Sequence, residues 1–210
     1  MRFHFCVSLY NETDGKGILP TPTIGAVGVI EDIALAVGSR LTMAGLGLVL
    51  IGDTKGWLGQ SLYLRETFGR EEGAPPPVDL AVERRNGDFV RDEINDRRVV
   101  ACHDLSDGGL LVALAEMCLS GGTGAEIALP AGSTVPPHAF LYGEDQARYL
   151  VASCSPMELI DDARKAGIPA TLLGYSGGAS LVVKDLLSLP LSDIKAAHEG
   201  WLPAYMTATD

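Results

Sequence analysis

The residues whose types and spacing suit chemistry fall in three short stretches. The first is ACHDLSDGGLLVALAE, residues 101–116, where an apolar run enters a polar turn with two glycines and continues with a wide apolar helical face. His103, Asp104, Ser106 and Asp107 therefore sit between the C-terminal end of a strand and the start of a helix, where ligands of α/β sheets gather. Free N–H groups at a helix start favour anions. Because carboxylates share this turn, a phosphate would need a bridging Mg²⁺. The competing reading is that Ser106 or Asp107 simply caps the helix. The second stretch is YGEDQARYLV, residues 142–151, in which Glu144, Asp145 and Gln146 precede a strand. They face a cleft or form a solvated turn. The third, residues 51–80, spaces Gly52, Gly56 and Gly59 between a strand and a helix, but it lacks the GK[ST] ending of a phosphate-binding P-loop. Lys55, Arg65 and Arg70 are phosphate partners or plain surface charges. His138 and His198 read as surface residues, and no Ser/His/Asp or Cys/His set emerges.

The elements that must position these groups can be read from apolar periodicity. Strands are expected at Val7–Tyr10, Thr23–Ile30, Gly47–Ile51, Arg98–His103, Gly124–Leu129 and Ala147–Ser153. Ala170–Gly174 and Ala179–Val183 read as a closing hairpin. Helices are expected over Gly59–Thr67, Asp79–Asp96, Gly108–Leu119, Met157–Ala166 and Leu191–Trp201. In the second of these, Leu80, Val82, Phe89, Val90 and Ile94 are the candidate core positions. Asn11–Pro22 and Glu71–Pro77 read as loops. This alternation predicts an α/β (α+β) body over 43–210, with a mixed sheet and flanking helices. Residues 1–42, with two strands and no other partner, are too short for a second domain.

The bulk properties narrow the function classes. The 210 residues carry a net charge of −11, which disfavours a nucleic-acid groove. No apolar run reaches the ~18 residues that span a bilayer, and no signal peptide is visible. A cytoplasmic location is the expectation. Cys6, Cys102, Cys118 and Cys154 form no CxxC pair, so no zinc or redox site is expected, and Cys102 and Cys118, inside apolar runs, read as buried free thiols.

In this order, VSLYNET, PTPTIGAVGVIED, LGQSLYLRETFGREEGAPPPVDL, HDLSDGGLLVALAE and GEDQARYLV resemble the large synthetase subunit of the phosphoribosylformylglycinamidine synthase family. The likeness runs from about residue 7 to the end. It implies an ATP- and Mg²⁺-dependent ligase of purine biosynthesis, which converts formylglycinamide ribonucleotide and glutamine-derived ammonia to the amidine. A glutaminase subunit and a small assembly subunit are the implied partners. It also implies a tandem repeat of aminoimidazole ribonucleotide synthetase modules. Residues 43–210 would be the second C-terminal domain, and residues 7–42 the remnant of a β-barrel-forming domain. Ser8 matches a substrate-touching serine of the family. Phe5 and Cys6 stand where the family has an ATP-contacting glycine and an Mg²⁺-binding asparagine, so residues 1–6 read as unrelated leader. By the pseudo-symmetry of the repeats, Asp104 takes the place of an Mg²⁺ ligand. Glu144, Asp145 and Gln146 take the place of a substrate-binding run. Together with Ser106 and Asp107 they would form an auxiliary nucleotide site, holding a structural ADP in larger family members.

The resemblance implies that the isolated chain is inactive, its catalytic groups lying elsewhere in the parent subunit. The rival expectation is a non-catalytic module that binds a nucleotide or docks a partner chain, with a homodimer formed through residues 7–33.

Overall fold

A computed structural model of the chain describes residues 12–17, 25, 27–30 and 32–207. Contacts divide the chain into two units, Met1–Ala36 and Val37–Asp210. In the first, β1 (Glu12–Thr13) and β2 (Lys16–Gly17) pair antiparallel across Asp14 and Gly15, both at positive φ. An Asp-Gly pair at positive φ is what a two-residue hairpin turn needs. Asp32 caps a 3₁₀ turn over Ile33–Leu35, accepting from the Ala34 N–H at 2.9 Å. The strand expected over Val7–Tyr10 lies outside the described residues, as do Phe5, Cys6 and Ser8. The strand expected at Thr23–Ile30 needs correction: Gly25 and Val27–Ile30 carry no strand, and Val27 and Val29 are 91% and 94% exposed. GAVGVI has β-branched residues, but its glycines weaken a strand that finds no neighbour among the described residues.

The second unit is built on a sheet with apolar residues on both faces. It contains β3 (Gly47–Ile51), β4 (Val99–Asp104), β5 (Ala125–Ile127), β6 (Tyr149–Ser153), β7 (Ala170–Ser176), β8 (Ser180–Val183) and β9 (Leu187–Pro190). The strand order is β4-β6-β3-β7-β5-β8-β9. All pairs are antiparallel except β5 and β8, so the sheet is mixed, as expected. Successive side chains of a strand point to opposite faces. Leu48 and Leu50 thus join one core with Leu110, Leu114, Leu150 and Leu181, while Val49 and Ile51 join the other with Val90, Val151 and Leu159. The first core lies under α3 (Gly109–Gly121), α4 (Pro137–Tyr142) and the start of α6 (Leu191–Thr207). The second lies under α2 (Leu80–Asn95) and α5 (Pro156–Lys165). A sixth helix, α1 (Leu62–Phe68), starts on its Ser61 cap.

Local chemistry explains the element ends. The Asp79 carboxylate caps α2 by accepting from the Ala81 and Val82 N–H groups at 2.9 and 3.2 Å. Val90 is buried in α2, and Phe89 and Ile94 pack against the core, but Leu80 is exposed. Two polar residues are buried in α2 instead. Asn86 donates to the Ala147 carbonyl at 2.8 Å, and Glu93 holds Arg98 at 2.5 and 2.9 Å.

The expected hairpin of Ala170–Gly174 with Ala179–Val183 does not form. β5 lies between β7 and β8, and β8 instead turns directly into β9. The short helix α4 was not anticipated, and α6 runs past Trp201 to Thr207. The larger unit begins at Val37, ahead of Met43, because Leu41 is fully buried and donates its N–H to the Met117 carbonyl at 3.1 Å.

Candidate functional site

Strand β4 ends at Asp104, and the chain reaches α3 through Ser106, Asp107 and two glycines in the left-handed region, Gly108 at φ 76° and Gly109 at φ 66°. Only glycine adopts these angles at little cost. A Cβ on Gly109 would also stand 2.5 Å from the Gly143 carbonyl. The turn is therefore pressed against the segment that carries Glu144.

Neither Ser106 nor Asp107 caps α3. Gly108 is the cap residue and no side chain of the turn bonds the first helical N–H groups, so the capping reading is corrected. A carboxylate from far away in sequence bonds the cap residue itself. Glu144 Oε1 accepts from the Gly108 N–H and the Leu62 N–H, both at 2.8 Å. It thereby meets the starts of α3 and α1 at once, while the Glu144 N–H donates to the Trp57 carbonyl at 2.8 Å. Negative charge is favoured at such helix starts.

Asp145 faces the other way. Its Oδ2 accepts from Lys55 and Gly56 N–H at 3.2 and 2.8 Å, and its Oδ1 from Trp57 N–H at 3.2 Å. Behind it, the buried Arg148 donates to the Gly143 carbonyl at 2.6 Å, the Asp145 carbonyl at 3.0 Å and Thr54 Oγ1 at 3.2 Å. Its guanidinium lies 3.9 Å from Asp145 Oδ2. Burial pulls the Arg148 guanidinium below its ordinary value, partly offset by Asp145 and Asp53. Gln146 Nε2 bonds back to the Glu144 carbonyl at 3.2 Å. The loop over 71–77 is tied on by the Trp57 indole N–H, which donates to Ala74 O at 2.8 Å, and by Gln60, whose Nε2 donates to Gly73 O at 3.0 Å.

Between these parts opens a polar cleft of about 300 Å³, lined by Gln60, Ser61, Leu62, Arg65, Glu71, Asp107 and Glu144. Of the sequence candidates, the structure brings Asp107 and Glu144 together here. Asp145 and Gln146 are committed to the backbone bonds above, and Ser106 is exposed on the turn. Asp104 is 73% exposed and lies 3.7 Å from His103 Nδ1. His103 bridges Glu116 Oε2 at 2.9 Å and the Asp104 carbonyl at 2.6 Å. Arg65 reaches the cleft but pairs with Glu66, which holds its guanidinium above the ordinary value. Arg70 pairs with Glu72 and Lys55 is exposed. His138 is exposed yet stacks on Tyr63 at 5.9 Å, and Tyr63 stacks in turn on Tyr142 at 4.8 Å.

Sequence reasoning missed Thr54, Gln60, Ser61, Glu71 and Arg148. Arg148 alone left a signal: a cation opening an apolar strand requires buried partners. Among the described residues, no group of three or more His, Cys, Asp or Glu is arranged to hold a metal ion. The donor set offers single carboxylates, which fit an ion that a phosphate brings with its own waters.

The seven-stranded mixed sheet with helices on both faces sets the chain among α/β proteins. The chain belongs to the AIR synthase related protein family through its C-terminal domain, whose family model matches residues 43–184. It is 56% identical over 204 residues to the phosphoribosylformylglycinamidine synthase subunit PurL of Methylocella silvestris, covering 96% of this chain. The chain spans 28% of the length of that curated relative. In fold it is similar to Thermotoga maritima PurL complexed with FGAR (TM-score 0.64, 17% identity, 77% of this chain and 30% of that chain). It is also similar to T. maritima PurL complexed with ATP (TM-score 0.60, 18% identity, 76% and 27%).

Proposed function

We propose that this chain serves as the C-terminal portion of a phosphoribosylformylglycinamidine synthase large subunit. In that role it belongs to an ATP-dependent ligase that forms an amidine from formylglycinamide ribonucleotide and ammonia. The observation that carries this reading is the 56% identity to a curated subunit of that name along 96% of this chain. The glutaminase and small assembly subunits are the partners of that whole enzyme, and its setting is the cytoplasm. The described residues contain no helix long and apolar enough to cross a membrane.

The contribution of this chain's own residues is the cleft. Asp107 and Glu144 face a space of about 300 Å³ at the start of α3, a suitable place for an auxiliary nucleotide. Mg²⁺ entering with the nucleotide would supply charge neutralisation of its phosphates. Asp107, which lines the cleft, would give that ion one carboxylate, and Asp104, exposed at the end of β4, is the alternative. Asp145 and Arg148 hold the loop over 54–57 in place, and Glu144 joins that loop's helix to α3. Ser8, outside the described residues, would touch substrate only within the full subunit.

A chimera tests the reading. The matching segment of a curated relative is replaced by this chain, and ATP- and ammonia-dependent amidine formation is assayed. A folded, active chimera is the expected result, with this chain alone inactive; a folded but inactive chimera contradicts the proposal. The rival, a docking module that dimerises through residues 7–33, is favoured by the exposed Val27, Val29, Ile30 and Ile33. It predicts a dimer by light scattering that dissociates on Val29→Asp.

A further inference from the structure

We propose that Glu144 is a specificity-determining residue. Its carboxylate fills, from within the chain, an anion seat at the start of α3, so the cleft receives the hydroxyl- or amine-bearing part of a ligand and excludes bare phosphate. This rests on the reading of the cleft as a ligand site.

Two backbone N–H groups converge at this place, those of Gly108 and Leu62, and helix α3 directs its positive end there. Such an arrangement ordinarily recruits a phosphate. Here both N–H groups already bond one oxygen, Glu144 Oε1, at 2.8 Å each. The Glu144 residue is only 8% exposed, so it is a built part of the wall. A single oxygen of this carboxylate, Oε1, carries both bonds, and Glu144 lines the cleft. Asp107 and Glu71 line the same space, and the one cation there, Arg65, is paired with Glu66 at 2.8 Å. The lining thus sets three carboxylates against one guanidinium. A phosphate would meet three carboxylates, with the Gly108 and Leu62 N–H groups already bonded to Glu144. A sugar hydroxyl or an amine would find the Glu144 and Asp107 carboxylates as acceptors.

The test uses inorganic phosphate and adenosine as probes on the 210-residue chain, followed by amide NMR and calorimetry. The unaltered chain is expected to show adenosine-dependent shifts at Leu62 and Gly108 and none with millimolar phosphate. In Glu144→Ala the two N–H groups are released, and phosphate is expected to bind at least about tenfold more tightly than to the unaltered chain, on the scale of hydrogen bonds to a charged group. Glu144→Gln keeps a carbonyl oxygen for both N–H groups and is expected to gain no phosphate binding. Phosphate binding to the unaltered chain at Leu62 and Gly108 overturns the proposal without any variant, and so covers the case in which Glu144→Ala fails to fold. A folded Glu144→Ala that gains no phosphate binding also overturns it, as does an unaltered chain that ignores adenosine. The chimera assay reads amidine formation separately, so failure of the wider functional reading leaves the phosphate result standing.

Discussion

Asp145→Ala gives the sharpest perturbation of the framework around the cleft. Three backbone N–H groups, those of Lys55, Gly56 and Trp57, lose their acceptor at once. Bonds to a charged acceptor contribute about 1.5–3 kcal/mol each at best. Two of these are long, at 3.2 Å, and the loop is half-buried, so water recovers part of each. About 1 kcal/mol per bond is a fair net figure. The buried Arg148 also loses the carboxylate 3.9 Å away, and stranding a buried charge is costly. A total of about 3–4 kcal/mol follows, in line with the cost of breaking a buried pair. With a urea slope of about 2 kcal/mol/M, the unfolding midpoint should fall by about 1.5–2 M, read by circular dichroism. Asp145→Asn retains one carbonyl oxygen and should lose about half as much. A midpoint within about 0.3 M of the parent for Asp145→Ala would refute the reasoning, because the loop would then be held by other contacts.

Other outcomes follow from the same structure. Gly109→Ala combines a positive φ with a Cβ set 2.5 Å from the Gly143 carbonyl. It should cost about 3 kcal/mol in urea unfolding. Glu93→Gln weakens the pair with Arg98, whose guanidinium is one-third exposed, and should cost about 1–2 kcal/mol in the same assay. Burial pushes the Cys102 and Cys118 thiols up to about 12, from 9.0. Because the folded state holds these protons longer, their contribution is complete below pH 9 and is lost as pH rises towards 12. Urea midpoints measured from pH 8 to pH 11 should therefore decline, less steeply in Cys118→Ala. Among the described cysteines, alkylation of the native chain with mass mapping should label the exposed Cys154 first.

The legible parts of the fold were those coded locally. GLVLI is an apolar run bounded by glycines, and it became the buried centre of the sheet. Asp79 announced α2 because a carboxylate before an apolar-periodic segment caps its own next residues. The illegible parts depend on distant partners. β8 has the pattern of a strand, but its parallel pairing with β5 cannot be seen in the segment itself. The same holds at the cleft. HDLSDGG and GEDQ were both visible as polar turns between apolar segments. Glu144, however, bonds N–H groups 36 and 82 residues away, and Asp145 bonds others up to 90 residues away. Nothing in the local spacing separates a carboxylate facing a cleft from one clamping a loop. The strand expected at Thr23–Ile30 failed for a related reason, since β-branched residues form a strand only when a neighbour accepts it.

We propose the cleft at the start of α3 as this chain's ligand site. Titration of Mg²⁺-ADP into the isotope-labelled chain, followed by backbone amide NMR, tests it most directly. The account predicts saturable shifts confined to Gln60, Ser61, Leu62, Arg65, Glu71, Asp107, Gly108 and Glu144, lost in Asp107→Ala with the fold retained. No shift at millimolar nucleotide, or shifts centred on the opposite side of the unit around Ile160–Ala170, would contradict it.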